Sequence, residues 1–535
     1  MNQSHLSTLD WWVIGIYLAG LIAMSLFLSR RQHSRADYYV GGRSIGPWPI
    51  AISTMATQCS TNSILGAPAF VAFSAGGGLL WLQYELAVPL AMLAIMIFLL
   101  PAFRRLNLVS VYEYLEIRFD LKTRLTLSAL FQFVRAFATA VTIYSIALVV
   151  ELITGTSFFW SVMILGAITL VYDVLGGVRA VVYSDVLQMV ILVVMLLVIL
   201  ILLLGDTGGL TNMFTTIPKS RLETLDFSHH GLGDGHTFAF WPMFLGGFFL
   251  YVSYYGCDQS QVQRELCAAT VNDSKQSLFL NGLLRFPLVL LYCLVGVGIG
   301  AYATLHPEFI DALPVDNNQR NYNLAVPLYI LQNLPVGVVG LALVALFAAA
   351  MSSLDSVINS LSASTMEDFV RRFHHGMVSD RHELWLSRLV TFAWGTVAVV
   401  FSFYVGDISD SVLVAINKIG SLINGPVLGV FALGLLTRRT SGTGAILGLL
   451  GGFLCNIGCW VLLPEVSWLW WNVFGFGVCF ALGMLSSSVW PNSDSSKSKI
   501  ASHLDWQNWR WKYLALLGYT LAIVLLLVLL SQLHK

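Results

Sequence analysis

The chain has 535 residues, 57% of them hydrophobic and only 11% charged. A soluble globular chain carries roughly 25% charged residues, so a soluble enzyme or a string of soluble domains is excluded, and the useful unit is the membrane span. Twenty-nine basic residues balance twenty-nine acidic ones, which gives no electrostatic reason for a nucleic-acid partner.

The N-terminal stretch MNQSHLSTLD lacks the basic region of a signal peptide, so the apolar run after it is read as retained. Fourteen spans are expected, at about 10–29, 47–72, 78–100, 122–153, 157–176, 181–204, 238–268, 276–302, 335–363, 384–405, 411–436, 443–463, 467–488 and 512–532. Arg30, Arg31, Arg35, Arg43, Arg104, Arg105, Arg179, Arg371, Arg372, Arg381, Arg438, Arg439, Lys497, Lys499 and Arg510 all follow odd-numbered spans. The shortest connections on the opposite side hold no Lys or Arg, which predicts that both chain ends lie outside. "SVYEYLEIRF" inside and "NYNLAVPLYILQNLP" outside read as short interfacial helices.

The second span contains "MATQCSTNSILGAPAF", where a polar run and then Gly66 and Pro68 interrupt an apolar segment. The seventh contains "YVSYYGCDQSQVQREL", interrupted at Gly256 and Asp258–Gln261. Five spans separate them, so they cross in opposite directions. Matched interruptions of this kind point to the central site of a transporter, because unwound backbone at membrane depth survives only inside protein or along a cavity.

The ninth span contains "LFAAAMSSLDSVINSLSASTMEDF". On a helix Ala349, Ser352, Ser353, Ser356 and Ser360 share one face, flanked by Asp355 and Asn359. Hydroxyls and free carbonyls together suit sodium, a hard cation. Asp355 is an intramembrane carboxylate and therefore a functional candidate. Asp185, early in the sixth span, either shares a cation with it or is a helix N-terminal carboxylate at the membrane surface.

"ADYYVGGRSIG", "SVYEYLEIRFD", "VLGGVRAVVYSDVLQ", "CDQSQVQREL" and "FAAAMSSLDSVINSLSASTMEDF" resemble the recurring motifs of the solute:sodium symporter family, from about residue 10 to 445. The resemblance implies an all-α polytopic fold with an inverted five-plus-five core, here 47–204 and 238–436, preceded by 1–46 and followed by 437–535. It implies a secondary transporter, not an enzyme, with sodium as coupling ion and no other cofactor. Its partners are then sodium, a small organic solute and the bilayer, with no obligatory protein partner. Carried over by position, the sodium ligands are the carbonyls of Ala56, Cys59 and Ala349 and the hydroxyls of Ser352 and Ser353. A second cation site falls at Asp185, Asp355 and Ser356; the family's serine has become Asp355, which leaves proton coupling open.

The substrate positions carried over are Thr57, Gln58, Ser60, Asn62, Ser63, Gln83, Asp258 and Gln259. "LGAPAF" and "YGCDQSQVQR" are similar to the branch that carries monocarboxylates, vitamins and iodide and, together with "QYELA" and "FAAAMSS", to bacterial sialic-acid carriers. Arg135 either meets a substrate carboxylate or pairs with an acid such as Glu85. Lys418 is a second candidate cation, or snorkels to the surface; Arg285 reads as an interface anchor. A carboxylate-bearing solute is thus expected, with a neutral sugar or polyol as the alternative. A channel needs a ring-built filter and a sensor needs a signalling domain; neither is evident in the sequence. The pairs His229–His230 and His374–His375 are discounted as loop residues without partners at metal spacing, and the seven cysteines form neither a metal motif nor a disulfide framework. Trp506, Trp509 and Trp511 read as an interfacial belt. The sequon at Asn272 falls inside and suits a bacterial inner membrane.

Overall fold

The computed structural model describes residues 6–30, 32–316, 319–373, 379–405, 412–491 and 506–532, so His374 and His375 lie outside the described residues. Among these, eleven helices are long and apolar enough to cross a bilayer. The only strands among the described residues are the two-residue pair Val315–Asp316 and Gln319–Arg320. The architecture is all-α.

Helix α1 (Thr8–Ser29) begins at a capping box between Ser7 and Asp10. Its 22 residues rise about 33 Å, enough for a hydrocarbon core of about 30 Å. The second expected span is two helices, α2 (Pro47–Gln58) and α3 (Thr61–Ala72). Between them Cys59 leaves helical geometry (φ −81°, ψ 63°) and Ser60 is extended. The break therefore sits in the polar run, whereas Gly66 and Pro68 lie within α3. Pro68 serves packing there, since a Cβ on Gly296 of the facing helix would meet its backbone at 2.9 Å.

Helix α4 (Trp81–Arg105) is followed by α5 (Leu121–Thr154), which Asp120 caps and Gly155 ends in the left-handed region at φ 68°. Helix α6 (Phe158–Asp206) has 49 residues, about 74 Å if straight and twice a bilayer. Gly177 kinks it at φ 58°, ψ −176°, and a side chain there would strike Tyr38 at 2.8 Å. The spans expected at 157–176 and 181–204 are thus two helical segments that meet at the glycine kink with no loop between them.

Helices α7 (Gly247–Cys257) and α8 (Gln259–Leu266) meet at Asp258, whose carboxylate caps α8 by accepting from the Ser260 N–H at 2.8 Å. Then come α9 (Val271–Leu305), α10 (Val338–Phe373), α11 (Asp380–Ser402), α12 (Val412–Leu436), α13 (Gly442–Leu462), α14 (Trp470–Val489) and α15 (Trp506–Gln532). Short helices Glu113–Arg118 and Ala325–Asn333 stand where interfacial helices were expected.

Burial ranks these helices by role. In the most apolar stretch of α10, 89% of residues are buried, against 22% for α1 and α15. Helix α10 packs on α1, α2, α5, α6 and α8 and so meets protein on every side. Its serines and carboxylate are tolerated because they do not face lipid. The peripheral pair α13 and α14 approaches through glycines; a Cβ on Gly448 would lie 2.4 Å from the Cys479 carbonyl oxygen.

At the end carrying the basic loops, Arg104 donates to the carbonyls of Leu266 and Ala268 at 2.9 and 2.8 Å, and Arg43 also reaches Leu266 at 3.2 Å. They satisfy the carbonyls left open where α8 stops. Arg124 binds Asp368 at 2.7 Å and Glu116 at 2.8 Å, and Arg35 pairs with Glu367, tying the last turns of α10 to its neighbours.

Candidate functional site

The two helix breaks converge on one central cavity of about 210 Å³. Thr57, Gln58, Ser60 and Ser63 line it from the α2–α3 break, Asp258 from the α7–α8 break, Arg135 from α5 and Ser353 from α10. The Arg135 guanidinium donates to Asp258 at 2.6 Å and lies 4.7 Å over the ring of Tyr254. Its partner is therefore Asp258 and not Glu85. Glu85 binds Arg285 at 3.1 Å and accepts from the Tyr251 hydroxyl at 2.9 Å. Arg285 is no interface anchor: it is buried, lines the cavity and also donates to the Cys59 sulfur at 3.1 Å. The cavity thus has two guanidinium–carboxylate pairs on its walls. The Tyr84 hydroxyl and the Gln58 side-chain oxygen are buried there without a hydrogen-bond partner.

Three of the substrate candidates, Gln83, Gln259 and Lys418, are absent from this lining. Gln83 spends its amide on the loop above, donating to the Phe238 carbonyl at 2.6 Å and accepting from the Asp226 N–H at 3.2 Å. Gln259 holds the 109–111 backbone, accepting from the Val111 N–H and donating to the Val109 carbonyl at 2.8 Å each. Lys418 lies over Trp460 and Trp471, at 5.5 and 5.8 Å. Gln83 and Gln259 come from the family resemblance and Lys418 from its charge, and their backbone and aromatic partners are invisible in the sequence. The side chain of Asn62 lies outside the described ones.

Beside the cavity, α10 docks on the end of α2. Ser352 donates to the carbonyls of Ala56 and Ala349 at 3.2 and 3.1 Å, and Ser353 to that of Thr57 at 3.0 Å. Four of the five expected sodium ligands, Ala56, Ala349, Ser352 and Ser353, are brought together. Cys59 occupies the break itself, where its carbonyl has left the helical ladder.

One layer deeper lie the two carboxylates. Ser53 donates to Asp185 at 2.5 Å, and Asp355 accepts from the N–H and hydroxyl of Ser356. Between them stands Arg264, which donates to Ser53 at 2.8 Å, reaches Ser356, and lies 3.7 Å from Asp185. Asp185 is fully buried, which removes the reading as a surface helix terminus. One oxygen of Asp185 and one of Asp355 have no hydrogen-bond partner among the described residues. Sequence reading passed over Arg264 and its neighbour Glu265, which accepts from Ser277 at 2.6 and 2.7 Å. The signal was present, since both are ionisable residues in an interrupted span.

The loop 226–240 holds a further departure. His229 was discounted, yet Asp226, His229 and His236 each bring one potential ligand atom within 4.8 Å of the others.

A family model described as the sodium:solute symporter family matches residues 38–452. The sodium/sialic acid symporter NanT of Aliivibrio fischeri is 29% identical over 503 residues, 93% of this chain and 96% of its own length. The sodium-coupled monocarboxylate transporter 1 of Mus musculus is 32% identical over 454 residues, covering 84% of this chain and 70% of that one. A solved structure of a sodium-coupled sialic acid symporter, substrate-bound and outward-open, is similar with TM-score 0.80 at 24% identity, covering 90% of this chain and 98% of that one.

Proposed function

The chain belongs to the sodium:solute symporter family, and we propose that it couples inward sodium movement to uptake of a small carboxylate-bearing solute by alternating access. The observation that carries this reading is Arg135, a cavity-lining cation held by the helix-break residue Asp258 at 2.6 Å. An incoming carboxylate takes over the guanidinium, in the bidentate geometry arginine favours. That exchange releases Asp258 and loosens the α7–α8 break. The cavity walls balance two cations against two anions, so a monoanionic solute and one sodium enter without net charge.

Sodium binds the carbonyls of Ala56, Cys59 and Ala349 with Ser352 and Ser353, and draws α10 onto the broken second span. Asp185, Asp355 and Ser356 form a second cation site, whose Asp185 carboxylate Arg264 partly neutralises. The unpartnered oxygens of Asp185 and Asp355 favour one further reading, in which a proton, and not a second sodium, is held there. Fourteen spans follow if the two broken pairs and the kinked α6 are counted with the other long helices. Spans 2–6 and 7–11 then form the inverted repeats, with both termini on the periplasmic side of a bacterial inner membrane.

The test is uptake into liposomes under an inward sodium or an inward proton gradient. The panel holds sialic acid, short monocarboxylates, a vitamin, galactose and inositol. Sodium-driven uptake of an acid, strongly reduced in Arg135→Gln, is the expected result. Uptake only of a neutral sugar or polyol, with Arg135→Gln unaffected, refutes the carboxylate reading.

A further inference from the structure

The loop 226–240 leads directly into the broken span and carries three residues with ligand chemistry. It closes on itself, because the Phe240 N–H donates to the Asp226 carbonyl at 2.8 Å. Inside it, Asp226 aligns its carboxylate by accepting from the Ser228 N–H at 3.1 Å, and it contacts His229 Nδ1 at 2.8 Å. The rings of His229 and His236 stack with centroids 3.4 Å apart and planes 12° apart.

Asp234 shapes the turn between the two histidines. It accepts from the N–H groups of His230, Gly231 and His236 at 2.7, 3.1 and 3.1 Å. What desolvation it has pushes its carboxyl up, yet these three backbone donors together hold it below the ordinary aspartate range. Gly231, Gly233 and Gly235 all adopt positive φ, which lets six intervening residues fold back tightly.

We propose that Asp226, His229 and His236 form a binding site for a divalent transition metal of the zinc type, and that the bound metal tightens this loop. Two imidazoles and a carboxylate are a borderline donor set, suited to zinc, copper or nickel and poorly suited to sodium, magnesium or calcium. Three ligands leave a coordination position for water, and exposed His236 faces solvent. Binding requires the two stacked rings to reorient, since the three ligand atoms, within 4.8 Å of one another, must each come to about 2.0–2.2 Å from one ion.

The loop is coupled to the cavity wall. Its Asp226 and Phe238 backbones hold Gln83, and the Phe238 ring packs on Phe70 at 4.8 Å and on Trp81 at 6.5 Å. Trp81 lines the central cavity. A metal joining residue 226 to residue 236 therefore stiffens the segment that a moving outer wall must carry.

The experiment uses the full-length protein, stripped with a chelator and titrated with zinc chloride by calorimetry. Wild type is compared with the double variant His229→Ala/His236→Ala and with His230→Ala, a histidine of the same loop outside the site. Wild type and His230→Ala are expected to bind one zinc, and the double variant to lose at least about tenfold in affinity. Zinc is also expected to slow protease cleavage within 226–240 in the first two proteins only. Unchanged melting of the double variant in chelator excludes misfolding; should it melt earlier, Asp226→Asn provides the comparison. Equal zinc binding by all three proteins, or none by wild type, overturns the site. Zinc binding without protection of the loop overturns its tightening.

Discussion

Arg264 lies 3.7 Å from Asp185 and shares with it the hydroxyl of Ser53, which accepts from the guanidinium at 2.8 Å and donates to the carboxylate at 2.5 Å. A guanidinium tethered to α8 thus compensates a carboxylate on α6, both fully enclosed. Removing one member of a buried ion pair costs about 3–5 kcal/mol, because the other is left uncompensated. Arg264→Gln is therefore expected to lower the melting temperature markedly, and Asp185→Asn/Arg264→Gln to regain most of the loss. Thermal unfolding of the two variants checks this. No recovery in the double variant means that Asp185 serves a bound cation more than it serves Arg264.

Ser353 separates ion binding from folding. Its hydrogen bond to the Thr57 carbonyl, 3.0 Å long, contributes about 0.5–1.5 kcal/mol to stability, so Ser353→Ala should melt within a few degrees of wild type. The sodium concentration for half-maximal uptake is nevertheless expected to rise at least about tenfold, roughly the 1.4 kcal/mol of one lost ligand. A sodium titration of uptake decides the matter. An unchanged sodium requirement removes Ser353 from the ion site.

Asp258 and Arg135 are expected to respond oppositely, although they form one pair at 2.6 Å. Arg135→Gln loses the cation that meets the solute; hydrogen bonds to charged groups contribute about 1.5–3 kcal/mol each, so uptake of an acid should fall about 10- to 100-fold. Asp258→Ala frees the guanidinium and removes the competitor for the solute carboxylate, so KM should fall even if the maximal rate drops with the lost cap of α8. Initial rates across substrate concentration distinguish the two. Equal rises in KM show that the pair acts as one structural unit.

Gln83 is expected to behave as a loop anchor. Gln83→Ala strands the half-buried Asp226 N–H and Phe238 carbonyl, each costing less than the about 1–3 kcal/mol of a fully buried group left unsatisfied. Faster proteolysis of 226–240 with KM unchanged is the expected pattern. A raised KM with an intact loop returns Gln83 to the substrate.

Glu85 and Arg285 form the second charge pair on the cavity wall. Glu85→Ala leaves Arg285 with only the Cys59 sulfur at 3.1 Å and should destabilise by about 3–5 kcal/mol. Glu85→Gln keeps an acceptor for the Tyr251 hydroxyl and should cost less. Melting curves of both variants in detergent test the order; equal losses mean that the carboxylate charge, and not an acceptor alone, carries the interaction.

The sequence alone established the membrane class, the two interrupted helices and the oxygen-rich face of α10. Hydropathy, breaks and helical spacing are local properties, readable over a few turns without knowing what lies opposite. It also brought forward the residues that meet at Ser352 and Ser353, because their motifs recur. Tertiary structure alone decided the partners. Arg135 faces Asp258 across 123 positions of chain and Arg285 faces Glu85 across 200, separations over which no local pattern extends. It likewise turned Gln83, Gln259 and Lys418 away from the cavity, since an amide or ammonium is directed by the nearest unsatisfied carbonyl, amide or aromatic face. The Gly177 kink belongs to the same class: the glycine was visible in "VLGGVRAVVYSDVLQ", but the close approach of Tyr38 that requires it comes from a helix well over a hundred residues earlier.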